Sequence, residues 1–389
     1  MRSSQILIRL SDKEKQAVES VAEQAGQPVS SWARSILMEK VPSAQTDFVP
    51  RPEPVFPHPS NAGNLLSFFC GPGGLDLGFQ WAGFNTSVAI DIDAECVNTF
   101  NHNHKENKAH KQDIRELTLS KLDELHGSPI APIGVIGGPP CQSFSYSNVH
   151  QKDDDPRHSL PSAYAKLLKE INKERGIGFF VFENVPGLLS QKHIEKFEKF
   201  KKEFARAGFK LNVVPLDAVD YGVPQVRPRI FIVGINQKMF KGKTWTPPTP
   251  ISVSIASVKD AIGDLPDPLF NNERDGVRAP CHPNHFCMVP RSDKFANGNM
   301  KEGTVKGRCF RVLAWNEPSW TVAYGNREVH VHPNGKRRLS MFEALRLQSF
   351  PDRYQLTGNL SAQVRLVSEA VPPMLAYHIA ASIRSSLGI

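Results

Sequence analysis

The chain has 389 residues, 40% hydrophobic and 22% charged, with a formal net charge of +8, the balance of an ordinary soluble globular protein with one large α/β domain and smaller appendages. No apolar run approaches the ~20 residues that a bilayer-spanning helix needs, and the opening MRSSQILIRL lacks the apolar core of a secretory signal, so a cytoplasmic protein without a membrane partner is expected. Six scattered cysteines with no C-x-x-C pair argue for free thiols over a disulfide framework, and the basic excess suits a polyanionic partner without requiring one.

Residues 1–41 read as a separate unit. Ile6, Ile8 and Leu10 alternate with Gln5, Leu7 and Arg9, a short strand with one apolar side. Ser11 and Glu14 form a capping box opening a helix that carries Ala17, Val18, Val21, Ala22 and Ala25 on one face and stops at Gly26. Ser30 or Ser31 starts a second helix, with Trp32, Ala33, Ile36 and Leu37 on its apolar face. A unit this short cannot bury a core alone, so a homodimer through residues 5–40 is expected. The stretch resembles the ribbon-helix-helix family. That resemblance implies paired strands entering a DNA groove, with Gln5, Leu7 and Arg9 outward; a plain oligomerisation appendage is the alternative.

Residues 42–62 hold Pro42, Pro50, Pro52, Pro54, Pro57 and Pro59, the composition of a semi-rigid extended linker. From residue 63 to 236 strand-like and helix-like segments alternate, as in a parallel sheet covered by helices. Residues 237–310 lose this rhythm, and 311–389 regain it.

The run from Asn64 to Phe79 is a buried strand, a glycine turn and a helix. Gly71, Gly73 and Gly74 would let backbone amides approach a ligand, and the helix N-terminus favours a carboxylate. The next strand, Val88 to Asp93, ends in acids; Asp91 is placed to hold ribose hydroxyls and Ile92 to cover an adenine face. Asp113 and Ile114 follow a third segment and would hold the adenine amino group. In this order the residues favour an adenosyl cofactor.

The segment Ile133 to Ser145 carries the chemistry. An apolar strand ends at Gly137-Gly138, and Pro139-Pro140 then present Cys141 on a rigid loop. A thiolate is the most nucleophilic side chain available at neutral pH. Further on, the strand Gly178 to Val185 ends in Glu183-Asn184. A carboxylate at the tip of an apolar strand has a raised pKa, which suits protonating or holding a ring nitrogen.

The segments FFCGPGG, GGPPCQSFS, FENV, DYGVPQVRPRIFIVG and LSMFEALRLQSFPD, in that order, resemble the bacterial DNA cytosine-C5 methyltransferase family over most of residues 64–389. The resemblance implies a Rossmann-like S-adenosylmethionine-dependent methyltransferase fold, with a catalytic domain over 63–236 and a smaller target-recognition domain over 237–310. Residues 311–389 would complete both. It implies that Cys141 attacks C6 of a flipped cytosine, that Glu183 engages N3 and the exocyclic amine, and that Arg227 and Arg229 brace the catalytic centre and the nucleic-acid backbone. Phe69, Leu75, Pro139, Ala370 and Val371 would join the S-adenosylmethionine site, and Pro140, Gln142, Ser145, Asn184 and Gln225 the DNA side. The expected partner is double-stranded DNA, with a cognate restriction endonuclease or an orphan role. A transfer-RNA cytosine-5 methyltransferase and a DNA-binding regulator that acts through the N-terminal unit are the rival readings.

The chain departs from the family at Ser368-Glu369-Ala370-Val371-Pro372, where members usually carry Gly-Asn before the last three. Glu369 thus adds a charge beside the expected methionine pocket. Cys281, His282, His285 and Cys287 match no standard zinc spacing, and no metal is expected.

Overall fold

The computed structural model describes residues 10–24, 28–30, 32–33, 36, 48–57, 61–104, 109–140, 159–251, 255–271, 280–297, 300–305, 310–321 and 330–389. Cys141, Gln142 and Ser145, and the expected outward residues Gln5, Leu7 and Arg9, lie outside the described residues.

Helix α1 (Asp12–Gln24) begins at the capping box, where the Ser11 N–H and hydroxyl donate to the Glu14 carboxylate at 2.8 and 2.7 Å. Ala22 on its apolar face is buried, while Val21 is 45% exposed. Residues 48–57 have no regular secondary structure and are fastened to the domain along their length. Phe48 meets Phe342 edge-on, the Arg51 N–H donates to Asp352 at 2.7 Å, and Phe56 stacks on Tyr377 at 3.8 Å. The proline-rich stretch is therefore a docked strap here, with few backbone donors left to satisfy.

The central sheet uses β1 (Gly63–Phe68), β2 (Phe84–Asp91), β3 (Ala109–Lys111), β4 (Gly134–Gly137), β5 (Phe179–Asn184), β6 (Phe209–Asp217) and β8 (Pro228–Asn236), in the order β3-β2-β1-β4-β5-β8-β6. The short β7 (Gln225–Val226) pairs elsewhere. The pairs among the first five strands are parallel, as the strand–helix alternation leads one to expect. β8 is antiparallel to both of its neighbours.

Period-two alternation divides the core. Leu66, Val135, Phe180 and Phe182 face one layer with α5 (Leu160–Glu174) and α6 (Ile194–Arg206), next to α4 (Leu119–His126). Leu65, Ile136, Phe179 and Val181 face the other, against α2 (Gly74–Trp81) and α11 (Pro373–Leu387). Helix α3 (Ala94–Asn103) follows β2, capped by Asp93. Such strands, buried on both faces, explain why their sequences are near-continuous apolar runs.

A third cluster joins α7 (Val258–Ile262), α9 (Met341–Arg346) and α10 (Leu360–Glu369) through Val258, Leu345 and Leu366. Beside it lie β9 (Leu269–Phe270), β10 (Phe286–Cys287), α8 (Asp293–Ala296) and β11 (Ser319–Trp320), which pairs with β7. Ser340 and Glu343 form a capping box, and Arg337 forks onto the buried Glu343 at 2.9 and 3.0 Å. The bridge Val305–Arg311 runs across the 310/311 position where the composition changes, and Val312–Val331 follows just beyond it. Among the described residues no helix is long and apolar enough to cross a membrane, and Cys70, Cys96 and Cys281 are free thiols.

Candidate active site

Sheet register builds the site. Ile90, Phe68, Gly137 and Phe182 stand side by side across β2, β1, β4 and β5. The residue after each, Asp91, Phe69, Gly138 and Glu183, therefore forms the next row, at the carboxyl edge where open α/β sheets bind ligands. Two half-sites share this edge.

The first lies at β1 and β2. Phe69 has a φ of 55°, a left-handed conformation uncommon for a bulky side chain and typical of constrained functional loops. Asp91 accepts the Gly71 N–H on one carboxylate oxygen and the Asp93 N–H on the other, both at 2.9 Å, which ties the glycine loop to the strand tip. Burial raises the Asp91 pKa. Beside it the apolar side chain of Ile92 is 57% exposed. Gly73 caps α2 with a φ of 91°, and a Cβ on Gly74 would stand 2.2 Å from the Val371 carbonyl oxygen. Only glycine lets the loop and the turn before α11 meet there. A glycine loop at a helix start, a fixed carboxylate and an exposed apolar flank fit an adenosyl cofactor with a carboxylate tail.

Not all of the residues expected in this half-site turn toward it. The side chains of Leu75, Ile114, Ala370 and Val371 are packed in the cores, so these positions offer only backbone to a ligand. Asp113 caps the short turn after it and is gripped by the Arg115 guanidinium, which lowers its pKa. Ile92 and Asp91 remain at the edge.

The second half-site lies at β4 and β5. A Cβ on Gly138 would fall 2.6 Å from Glu183 Oε2, so glycine is what admits this carboxylate to the loop that continues into Pro139 and Pro140. The Asn184 amide donates to the Pro139 carbonyl at 3.3 Å and holds the loop from the other side. Pro139 is buried and Pro140 half-buried. Glu183 pairs with Arg229, Nε to Oε1 at 2.9 Å, with both side chains about one-tenth exposed. Burial raises the Glu183 pKa, against the opposing pull of Arg229 and then Arg227.

The Gln-x-Arg-x-Arg residues separate in space. Arg229 meets Glu183, whereas Arg227 has no exposed surface. Its Nη2 donates to the Ser368 and Ala370 carbonyls, both at 2.7 Å, and its backbone N–H to Asp217. Arg227 thus braces the Ser368–Ala370 turn from behind and presents nothing to a nucleic-acid backbone in this conformation. Gln225 is also wholly buried, on β7, and faces Ser319 of β11.

Two contributors escaped sequence reading. Asp76, buried in α2, accepts the hydroxyls of Ser67 at 3.0 Å and Thr86 at 2.9 Å, fastening the helix after the glycine loop to β1 and β2. An acid within the apolar run GLDLGF was the available signal. Tyr354 donates to the Pro72 carbonyl and props the same loop.

Burial pushes Asp76 up to about 6. The folded chain therefore holds this proton up to about that pH, while the unfolded chain releases it near ~3.9. Its contribution to stability is fullest below the unfolded value and is lost as pH rises through the folded one. Relative to wild type, Asp76→Asn should gain about 2 kcal/mol of unfolding free energy between about pH 4 and pH 7. Denaturant titrations at both pH values check this; a pH-independent difference would refute it.

His282 and His285 have protein partners. His282 stacks on Phe342 at 4.0 Å, and His285 bonds the Ser340 hydroxyl and the Pro266 carbonyl.

The sequence matches the C-5 cytosine-specific DNA methylase family over residues 63–385. It is 35% identical to the Type II methyltransferase M.MthTI of Methanothermobacter thermautotrophicus over 349 residues, which span 83% of this chain and 98% of that one. With M.FnuDI of Fusobacterium nucleatum the identity is 36% over 346 residues, spanning 83% and 94%. The solved structure of a DNA modification methyltransferase encoded within an E. coli prophage superposes with a TM-score of 0.70 at 23% identity, covering 84% of this chain and 99% of that one, and shares the fold.

Proposed function

The chain belongs to the C-5 cytosine-specific DNA methylases, which transfer a methyl group from S-adenosylmethionine to C5 of cytosine in DNA, and from that premise we propose how its own residues divide the work. The observation that carries the proposal is the meeting of Glu183, Arg229 and Gly138 at the head of the Pro139-Pro140 segment.

Cys141, next in the chain, adds as thiolate to C6 of the target base. Glu183 hydrogen-bonds N3 and the exocyclic amine, with its proton supply favoured by burial. Sulfur addition breaks the ring's aromaticity and leaves an enamine whose C5 is nucleophilic. When bound, S-adenosylmethionine supplies an electrophilic methyl group to that carbon. A base then removes the C5 proton, the Sγ–C6 bond breaks, and the thiolate and the aromatic ring are restored. C6 is inaccessible within a stacked duplex, so the cytosine swings out, at a cost of a few kcal/mol. Gly71, Gly73, Gly74, Asp91 and Ile92 hold the donor, and Arg229 keeps Glu183 oriented.

The recognition segment is residues 237–310, completed by part of 311–389, and a short duplex sequence is its target. A type II restriction endonuclease of the same specificity is the functional partner. Incubating plasmid DNA and a transfer-RNA pool with labelled donor tests this reading: label in the plasmid, at cytosines located by bisulfite sequencing, is expected, and label confined to the RNA would overturn it.

A second copy covers the apolar side of the N-terminal unit, where Val21, Val29 and Ile36 are 38 to 45% exposed. Sedimentation of the full chain should show a dimer, and removal of residues 1–47 a monomer; the same oligomeric state in both would contradict it.

A further inference from the structure

Glu369, the chain's departure from the family pattern, ends α10 beside the donor crevice. Its carboxylate lies 4.0 Å from Arg365 Nη1, one helical turn back. Arg365 in turn reaches across to Asp93, the cap of α3, two residues beyond Asp91. Asp91 lies within electrostatic range of Asp93 and Arg365, and the buried Cys96 thiol beneath them within range of Asp91, Asp93 and Glu369 together. Three carboxylates and one guanidinium thus share the rim where the Gly71–Gly74 loop meets the Ser368–Val371 turn. That turn is fixed from behind by Arg227, which holds the carbonyls on both sides of Glu369.

The donor and its product differ in charge at this place. The sulfonium donor carries one positive charge more than the thioether left after methyl transfer. We propose that Glu369 makes the crevice discriminate by charge, favouring the sulfonium donor over the spent thioether, with Arg365 setting how much of the acidic field is left uncompensated. The assignment rests on the donor occupying this crevice. Its consequence is faster exchange of product for donor after each turnover.

Equilibrium calorimetry with S-adenosylmethionine and S-adenosylhomocysteine tests the proposal on the full-length chain. The readout is the ratio of the two dissociation constants. Glu369→Gln should shift this ratio roughly two- to fourfold toward the product, the effect of one charge at partly screened distance. Arg365→Gln should shift it by a similar factor toward the donor, and both shifts should shrink as salt is raised. Opposite signs from neighbouring substitutions are the signature of a field rather than of a loosened turn. An unchanged ratio in Glu369→Gln, or shifts of one sign in both variants, would overturn the proposal while leaving the donor site intact. Failure of the wild-type chain to bind either compound would remove the donor site itself, and the proposal with it.

Discussion

Replacing Glu183 by Gln is expected to lower methyl transfer by about two to four orders of magnitude, the range for loss of a positioned acid–base group, with donor affinity almost unchanged. The amide keeps the size of the carboxyl, can still approach Gly138 and can still accept from Arg229, but it carries no charge to pair with that guanidinium and no titratable proton to share with N3. The separation follows from the fold: Glu183 tips β5, whereas the donor residues Asp91 and Phe69 stand at β2 and β1, with β4 in between. Single-turnover rates and calorimetry on the same variant check this. A turnover within threefold of wild type would remove Glu183 from the chemistry. The raised pKa adds a pH dependence: as pH climbs through the Glu183 pKa the protonated fraction falls, so wild-type turnover should decline on that limb and the Gln variant should lack it.

The second large effect is expected at Arg227. Its guanidinium is wholly buried and holds two carbonyls of the Ser368–Ala370 turn, while its backbone is held by Asp217. Arg227→Ala leaves those carbonyls without their donor and opens a cavity between the sheet and the end of α10. A loss of about 3 to 5 kcal/mol of unfolding free energy is expected, as for breaking buried charged networks. Arg229→Ala, by contrast, removes a largely local pair and should reduce turnover with a smaller stability loss. Denaturant unfolding of both variants separates the roles. Equal stability losses would show that the two arginines act as one unit.

The contrast between these arginines shows what could be read from the sequence. Local signals were legible: the Ser11–Glu14 and Ser340–Glu343 capping boxes depend on residues three apart, and the acids Asp91 and Glu183 stand at strand tips because each closes an apolar run. The doubly covered sheet could be read for the same reason. The Gln-x-Arg-x-Arg resemblance gives both arginines one role at the catalytic centre. The backbone instead breaks between Val226 and Pro228, and Arg227 turns toward a segment more than a hundred residues distant in sequence. The antiparallel insertion of β8 between β5 and β6 is likewise a long-range choice that no local pattern carries. Leu75 and Ile114 looked like ligand contacts because they flank them in sequence, yet an apolar side chain next to a core finds more to bury inside than at the rim. The strap was hidden by its prolines, which suit a free spacer and a docked extended segment equally well; Phe48, Arg51 and Phe56 decide it by finding partners.

The central claim is tested most directly by offering the protein a duplex in which 5-fluorocytosine replaces the target base, together with S-adenosylmethionine. Fluorine at C5 cannot leave as a proton does, so elimination stalls. The account predicts a denaturation-resistant protein–DNA adduct whose digest maps to the peptide containing Cys141, absent in Cys141→Ala. Methylation of ordinary duplex without any such adduct, or an adduct mapped to another cysteine, would contradict it.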